Sequence, residues 1–234
     1  MIEEVDFETF LYVSKNKLQI FVLDKKKLEN LYREEFKIKD EFNFKDLNDL
    51  SKFLDKNIYK IEKLVGNFIK NIVLIIENDE NLNVNIAIKK KNYESFINQK
   101  YLKGYLTEIK DLFNENYEKQ SIMHMIITNY IVNGKKQSLF ASGLSGDYLC
   151  LEVNFLCISN DLIFLFNNLL EKYQIKISRY MCGNYIKNFF EENSCELSLM
   201  ANKIKNGLND NEVIVVPKDI ENKGFFEKFF QLFS

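Results

Sequence analysis

Alternating apolar and polar positions predict strands in the first part of the chain. Residues 10–23 alternate on both sides of the turn Lys15-Asn16-Lys17, which predicts a β-hairpin. Residues 71–76 and 83–89 have the same strand-like composition. The polar run at residues 78–81 between them predicts a second hairpin.

Two other stretches have apolar residues at every third or fourth position, which is typical of an amphipathic helix. The first stripe consists of Leu47, Leu50, Leu54, Ile58, Ile61, Val65 and Phe68. The second consists of Leu102, Tyr105, Ile109, Leu112 and Phe113. We expect both stripes to face a hydrophobic core.

The second half of the chain alternates predicted strands with predicted helices. The strands are residues 121–132, 148–158, 175–181 and 212–216. The helices are residues 161–173, 185–192 and 197–208, with Gly207 placed to end the last. An Asn133-Gly134 pair follows the first of these strands and predicts a tight turn. The pattern predicts a mixed α+β fold.

Residues 224–234 are the most amphipathic segment of the chain. As a helix, they would form one broad apolar face made by Phe225, Phe226, Phe229, Phe230, Leu232 and Phe233. The segment is too short to span a bilayer, so it predicts a helix lying in a membrane interface. Docking into a partner's groove and packing on the protein's own core are the two alternatives. Residues 217–223 predict a polar linker before it.

Composition and charge narrow the classes of partner. The chain is 46% hydrophobic and 28% charged, which suits a soluble domain with a real core. No run of about 18 apolar residues occurs, and the acidic start at residues 1–6 predicts no signal peptide. The formal net charge of −2 argues against a nucleic-acid partner, because such proteins need a basic face.

Residue types that carry catalysis are sparse. The four cysteines, Cys150, Cys157, Cys182 and Cys195, show no Cys-x-x-Cys spacing, and His124 is the single histidine. No zinc site is therefore predicted, and the thiols fit a reduced cytoplasmic protein. His124 lies in an apolar strand and is interpreted as structural. No phosphate-binding glycine motif occurs, and residues 142–146 form a turn between strands. We expect no enzyme activity, cofactor or metal.

The middle of the chain resembles the bacterial cell division protein FtsA. The matching segments are residues 124–134 (HMIITNYIVNG), 143–149 (GLSGDYL) and 152–156 (EVNFL). The family has His-x-x-Pro-x-x-Tyr-x-Val-Asp, then Gly-Met-Ser-Gly-x-x-Leu, then a strand. FtsA is actin-like, has a strand-helix-strand-strand insertion subdomain, and ends in a membrane-binding amphipathic helix that residues 224–234 resemble.

The chain departs from the family where FtsA binds phosphate. The family opens with Gly-Leu-Asp-Ile-Gly-Thr, whereas residues 10–20 contain no glycine, and residues 181–185 run directly into a predicted helix at the second loop. About half of the family's length, including the second actin-like lobe, has no counterpart. ATP binding therefore does not carry over to this chain.

The resemblance implies an order of domains. These are a degenerate actin-like part at residues 1–92, the insertion subdomain at 93–183, a helical part at 184–216, the linker at 217–223 and the membrane-targeting helix at 224–234.

The resemblance to FtsA also implies a partner-binding face at Gly143, Ser145, Gly146, Asp147 and Tyr148. At Gly146 we expect a positive φ, which glycine tolerates best.

The function implied by the resemblance is a non-enzymatic adaptor at the septum. It would sit on the cytoplasmic face of the inner membrane and recruit division proteins, such as FtsZ or the cytoplasmic tails of later division proteins, or a second copy of itself. The alternative is a soluble interaction module of the pilus-assembly relative type, whose terminal helix packs internally.

Overall fold

A computed structural model of the chain describes residues 6–92, 96–97, 99–139, 145–190 and 195–213. Its strands are β1 (Phe7–Ser14), β2 (Lys17–Asp24), β3 (Glu29–Lys37), β4 (Asn71–Glu77), β5 (Asn83–Lys91), β6 (Gln120–Val132), β7 (Lys135–Gln137), β8 (Tyr148–Ser159), β9 (Lys176–Cys182) and β10 (Glu212–Val213). Its helices are α1 (Asn48–Val65), α2 (Gln99–Asn116), α3 (Asn160–Glu171), α4 (Gly183–Phe189) and α5 (Leu197–Lys205). The predicted mixed α+β class is confirmed.

The chain forms two compact units, each built from two separate segments. The first contains Met1–Asn81 and Ser159–Asn206, and the second contains Leu82–Ile158 and Gly207–Ser234. The domain boundaries expected from the sequence stay a prediction. No described helix is long and apolar enough to cross a membrane.

The first unit is a five-stranded mixed sheet with the order β3-β2-β1-β4-β9. β1 and β2 form the predicted antiparallel hairpin, while β1, β4 and β9 run parallel. Nearly every residue of β1, β2 and β4 is buried, as expected of strands covered on both faces. Helices α4 and α5 pack on one side of this sheet.

The prediction of a hairpin between β4 and β5 is wrong. β4 lies between β1 and β9 in the first sheet, whereas β5 pairs with β8 in the second. The physical reason is burial: β4 is a continuous apolar run that needs cover on both faces, while β5 alternates. Residues 78–81 therefore lead from one unit into the next rather than forming a hairpin turn.

The stripe predicted for α1 is correct along the helix and wrong beyond it. The helix ends at Gly66, whose φ of 70° lets the backbone leave the helical path. Because the chain turns there, the Phe68 side chain is 75% exposed instead of extending the buried stripe.

The second unit is a four-stranded sheet with the order β10-β6-β8-β5, and β7 pairs with β6. Helix α2 packs on one face, where the rings of Phe113 and Phe155 stack with centroids 4.7 Å apart. The predicted turn between β6 and β7 is confirmed, with φ of 48° at Asn133 and 81° at Gly134. The order from β5 to β8 is strand, helix, strand and strand, with the short β7 between the last two.

Candidate functional site

The first candidate site is the carboxyl edge of the parallel strands. Open sheets of this kind bind ligands beyond the carboxyl ends of parallel strands. Strands β1, β4 and β9 end at Ser14, Glu77 and Cys182, so their final side chains meet at one edge of the first unit.

A lysine-tyrosine-glutamate cluster, made of Lys187, Tyr12 and Glu77, occupies this edge. The Lys187 Nζ atom donates a 2.8 Å hydrogen bond to the Tyr12 hydroxyl, lies 4.8 Å from the centre of that ring, and forms an ion pair with Glu77. Tyr12 is 1% exposed, and burial raises the pKa of its hydroxyl, with the Glu77 carboxylate adding to the shift. Tyr12 is therefore neutral at physiological pH.

The turn into α4 closes the same edge. A Cβ atom placed on Gly183 would lie 2.6 Å from Cγ of Glu77, so the backbone passes close against that side chain. On the other side, Ser14 Oγ donates to Asn16 Oδ1 over 2.9 Å, and Lys17 N donates to Ser14 Oγ over 3.2 Å. The turn between β1 and β2 is thus held by its own side chains.

The second candidate site is the partner-binding face predicted around Tyr148, at one end of the second sheet. Asn133 fixes Tyr148 through two hydrogen bonds of 3.0 Å: the Asn133 N–H donates to Tyr148 O, and the Tyr148 N–H donates to Asn133 Oδ1. Ser145, Gly146 and Asp147 precede Tyr148 within the described chain, while Gly143 lies outside the described residues.

Asn92 holds the segment before Tyr148 from the other side. The Asn92 backbone N–H donates to Asp147 O over 2.6 Å, and its side-chain nitrogen donates to Gly146 O over 3.0 Å. Sequence reasoning missed Asn92, because it lies more than fifty residues from Asp147 and becomes its neighbour only through the pairing of β5 with β8.

The reason expected for a glycine at position 146 is wrong. Its φ is not positive; the glycines with positive φ in the described chain are Gly66, Gly134 and Gly207. Instead, a Cβ atom at Gly146 would lie 2.4 Å from Val132 Cγ1 and 3.2 Å from Asn133 Cγ. The glycine lets the backbone at position 146 pack closely against the side chains of Val132 and Asn133.

Tyr148 itself is available to a partner. It is 44% exposed, and the Lys89 ammonium lies 5.1 Å from the centre of its ring. A groove of about 590 Å³ beside it is lined by Lys89, Ile131, Asn133, Asp147, Tyr148 and Cys150. This arrangement places an aromatic ring, a cation and a carboxylate around one groove.

The two cysteines of β8 lie on opposite faces of the strand, because an odd number of positions separates them. Cys157 is fully buried in the core, which raises the pKa of its thiol to about 12. Cys150 is half-buried on the other face, where burial, and then the Glu152 carboxylate, raise its pKa. Neither thiol is a thiolate at neutral pH, so neither is an activated nucleophile.

His124 lies in a buried pair with Glu212. The His124 Nδ1 atom is 2.8 Å from Glu212 Oε1, and the two side chains are 0% and 3% exposed. Glu212 reaches it because β10 pairs with β6, an association of residues 88 positions apart that no local pattern reveals. In the described parts of the chain, no three His, Cys, Asp or Glu side chains are placed to hold a metal ion.

The predicted membrane-binding residues, Phe225, Phe226, Phe229, Phe230, Leu232 and Phe233, lie outside the described residues. The membrane-binding role of that segment therefore stays a prediction from its pattern.

Comparison with known proteins identifies similar solved structures. No protein-family model matches the sequence, and no curated protein matches it. A PilM-PilN type IV pilus biogenesis complex is similar, with a TM-score of 0.46 and 8% identity, over 78% of this chain and 49% of that one. The cytoplasmic domain of EpsL, an inner membrane component of the type II secretion system of Vibrio cholerae, has a TM-score of 0.33 and 9% identity, over 77% and 57%.

A third similar structure is a Bacteroides thetaiotaomicron protein with an actin-like ATPase fold and unknown function. Its TM-score is 0.31 at 12% identity, over 90% of this chain and 62% of that one. The chain thus spans between about half and three fifths of the length of these three structures. None of the three is described as a division protein.

Proposed function

We propose that the protein is a non-enzymatic interaction module of the pilus-assembly relative type, which docks a partner protein on the surface around Tyr148. The observation that carries this proposal is an exposed aromatic residue on a backbone segment that hydrogen bonds hold in place. Four hydrogen bonds from Asn133, Asn92 and Tyr148 hold the backbone of segment 146–148, while Tyr148 remains 44% exposed. A backbone segment ordered before binding loses little conformational entropy when the partner arrives.

The carboxyl edge of the first sheet supports the same proposal. Lys187 donates to Tyr12 and forms an ion pair with Glu77 there, and Gly183 brings the backbone against Glu77. Because Lys187 is already paired with Glu77, it does not offer a free positive charge to a phosphate group, and the Glu77 carboxylate would repel that group. We therefore assign no nucleotide to this edge.

Site-specific photocrosslinking in living cells tests the proposal. A photoreactive phenylalanine analogue at position 148 should give a discrete crosslinked protein adduct. The same analogue at position 59, where Tyr59 is 71% exposed on α1 of the first unit, is the matched control. The adduct at position 148 should disappear in the Gly146→Arg variant, and circular dichroism should show that this variant is still folded.

Two results would overturn the assignment of this surface. One is an equal set of adducts at positions 148 and 59, which would reflect exposure alone. The other is an adduct at position 148 that persists in a folded Gly146→Arg variant, because the arginine must displace Val132 or the segment before Tyr148.

The second candidate function is an FtsA-like adaptor at the division septum, attached to the cytoplasmic face of the inner membrane. The sequence pattern of residues 224–234 favours it, since six apolar side chains share one helical face. From residue 217 onward three lysines balance three acidic side chains, so membrane binding would rest on apolar burial rather than on charge. One copy would bind weakly, and stable attachment would need several copies held together.

Liposome flotation separates the two candidates. For the adaptor, Phe229→Glu should abolish flotation while the matched control Lys228→Glu keeps it, with little dependence on salt. For the module with an internally packed helix, the unmodified protein does not float and Phe229→Glu lowers its melting temperature. A fluorescent fusion that marks the septum and becomes diffuse without residues 224–234 would support the adaptor.

A further inference from the structure

Strand β5 lies at the edge of the second sheet, and its hydrogen bonds show which backbone groups point outward. Leu82 O accepts from the Cys157 N–H over 2.9 Å, and the Asn92 N–H donates to Asp147 O over 2.6 Å. In an antiparallel pair the bonded positions alternate, so the even-numbered residues of β5 face β8. The backbone groups of Asn83, Asn85, Ala87 and Lys89 therefore point away from the sheet.

Among the residues that the structure describes, nothing pairs with this outward edge from Asn83 to Lys89. Within the described ranges, β5 has β8 as its only strand partner, and no backbone bond to another element is found at these four positions. The edge stops at Lys91, whose carbonyl accepts a 2.7 Å hydrogen bond from the Tyr101 hydroxyl. From Asn83 to Lys89 the strand extends roughly 20 Å, enough to pair with about seven residues.

The two faces of β5 differ in chemistry. Val84, Ile86 and Ile88 point to the core side and are only partly buried against the core cluster. Asn83, Asn85, Ala87 and Lys89 are exposed on the other side. A strand added at this edge would extend the cover over the three apolar residues, provided that it placed its own apolar side chains on the same face.

The charge of β5 is entirely positive. The strand has three lysines and no acidic residue. Lys90 pairs with Glu108 on α2, whereas Lys89 lies over the Tyr148 ring and forms no ion pair with a described residue. An acidic side chain directly opposite Lys89 would supply the missing countercharge.

We propose that β5 binds an extended partner segment as an additional antiparallel strand, in which apolar residues alternate with polar residues and an acidic residue faces Lys89. The inference rests on the proposed function as an interaction module, and it adds the edge that is used and the chemistry of the partner. Backbone hydrogen bonds supply affinity in this mode of recognition, and the alternating side chains supply specificity. A second copy of this chain fits less well, because another β5 brings no carboxylate to Lys89.

Peptide binding to the full-length protein tests the proposal. The probe is fluorescein-labelled Glu-Val-Glu-Ile-Thr-Val-Ser-amide, followed by fluorescence anisotropy. One control has lysine at both glutamate positions and should bind at least about fivefold more weakly, since attraction to Lys89 becomes repulsion. A second control, Glu-Glu-Val-Ile-Val-Thr-Ser-amide, has the same composition without the alternation and should also bind more weakly.

Variants at one position separate edge pairing from side-chain effects. Ala87→Pro removes an outward N–H without breaking the pairing to β8, and edge strands tolerate proline, so the fold should survive. It should weaken peptide binding about tenfold, as expected from one lost hydrogen bond plus the bulk of the ring. Ala87→Thr keeps the N–H and is the matched control, with unchanged binding. Lys89→Glu should reverse the preference between the acidic and basic peptides.

Several outcomes would overturn the inference. These are equal binding of all three peptides, full binding by a folded Ala87→Pro variant, or an unchanged preference in Lys89→Glu. If Ala87→Pro does not fold, the peptide preference of the Lys89→Glu variant alone tests the inference. If sedimentation shows a dimer that Ala87→Pro dissociates and no peptide binding, the occupant is a second copy and the acidic partner is wrong. One result would separate the two proposals: Ala87→Pro loses peptide binding but keeps the photocrosslinks at position 148. In that case the proposed function stands, and its partner binds a surface other than the edge of β5.

Discussion

Substituting Gly146 by alanine tests the close approach that positions Tyr148. The new Cβ atom would lie 2.4 Å from Val132 Cγ1, and Val132 is 6% exposed within the core of the second unit. Overpacking of this kind costs about 1–3 kcal/mol, while a stiffer unfolded chain returns about 0.4–1 kcal/mol. We therefore expect the free energy of unfolding to fall by about 1–2 kcal/mol.

The matched control is Gly104→Ala, in helix α2 of the same unit. A Cβ atom at Gly104 meets nothing within 4 Å, so alanine there should stabilise the protein by about 0.5–1 kcal/mol through helix propensity. Urea unfolding followed by circular dichroism measures both variants, since the chain has no tryptophan for fluorescence. Opposite signs for the two glycines are expected.

A double-mutant cycle identifies the cause. Val132→Ala removes the Cγ1 atom that the new methyl group would strike. In that background Gly146→Ala should cost at least about 0.5 kcal/mol less than in the natural protein. An unchanged cost, or a Gly146→Ala variant as stable as Gly104→Ala, would refute the reasoning from steric contact.

Four further predictions follow from the pKa shifts and the lysine-tyrosine-glutamate cluster. Tyr12→Phe should lower the free energy of unfolding by about 0.5–1.5 kcal/mol, because it removes the hydroxyl that accepts a hydrogen bond from Lys187. The absorbance change of the tyrosines near pH 10 should be as large in this variant as in the natural protein. A smaller change would contradict the raised pKa of Tyr12. Iodoacetamide should modify Cys150 slowly at pH 7 and faster as pH rises, and should spare Cys157 until urea unfolds the protein, as mass spectrometry can determine. Asp24 accepts backbone hydrogen bonds that lower its pKa, so its contribution to stability is present above the unfolded pKa of about 3.9 and is lost as the pH falls further. The difference in free energy of unfolding between the natural protein and Asp24→Asn should therefore shrink toward pH 3. A difference that stays constant with pH would contradict this prediction. Calorimetric titration with ATP and magnesium should show no binding, and micromolar affinity would reject the assignment at the carboxyl edge.

Local patterns predicted most elements but not their partners. The hairpin of β1 and β2 involves neighbouring residues, so alternation and a short turn were sufficient to predict it. The error at β4 concerns which sheet a strand joins, and that depends on contacts with the distant β9. Strand β3 was missed because it is rich in charged residues and lies at an edge, where one side of the strand needs little apolar surface.

The candidate site was predicted only in part, because some of its residues come from distant positions in the chain. Asp147 and Tyr148 came from a contiguous motif, and the structure places both at one end of the second sheet. Asn92 and Lys89 were missed, since they reach Tyr148 through the register of β5 with β8. The lysine-tyrosine-glutamate cluster joins three distant parts of the chain, and a sequence pattern gives no signal for it.

The pairing of β5 with β8 places the two junctions of the inserted segment side by side. The chain leaves the first unit at Asn81 and returns at Ser159, and the hydrogen bond from Cys157 to Leu82 O ties these points together. A ribosome would therefore complete the inserted strands before β9 exists to finish the sheet that they interrupt. Because its two ends nearly touch, the insert can be exchanged for a tight turn, or for a related insert, without stretching the host sheet. Gain or loss of such a segment during evolution would leave the sheet of the first unit in place, whereas β10 would gain or lose its pairing with β6.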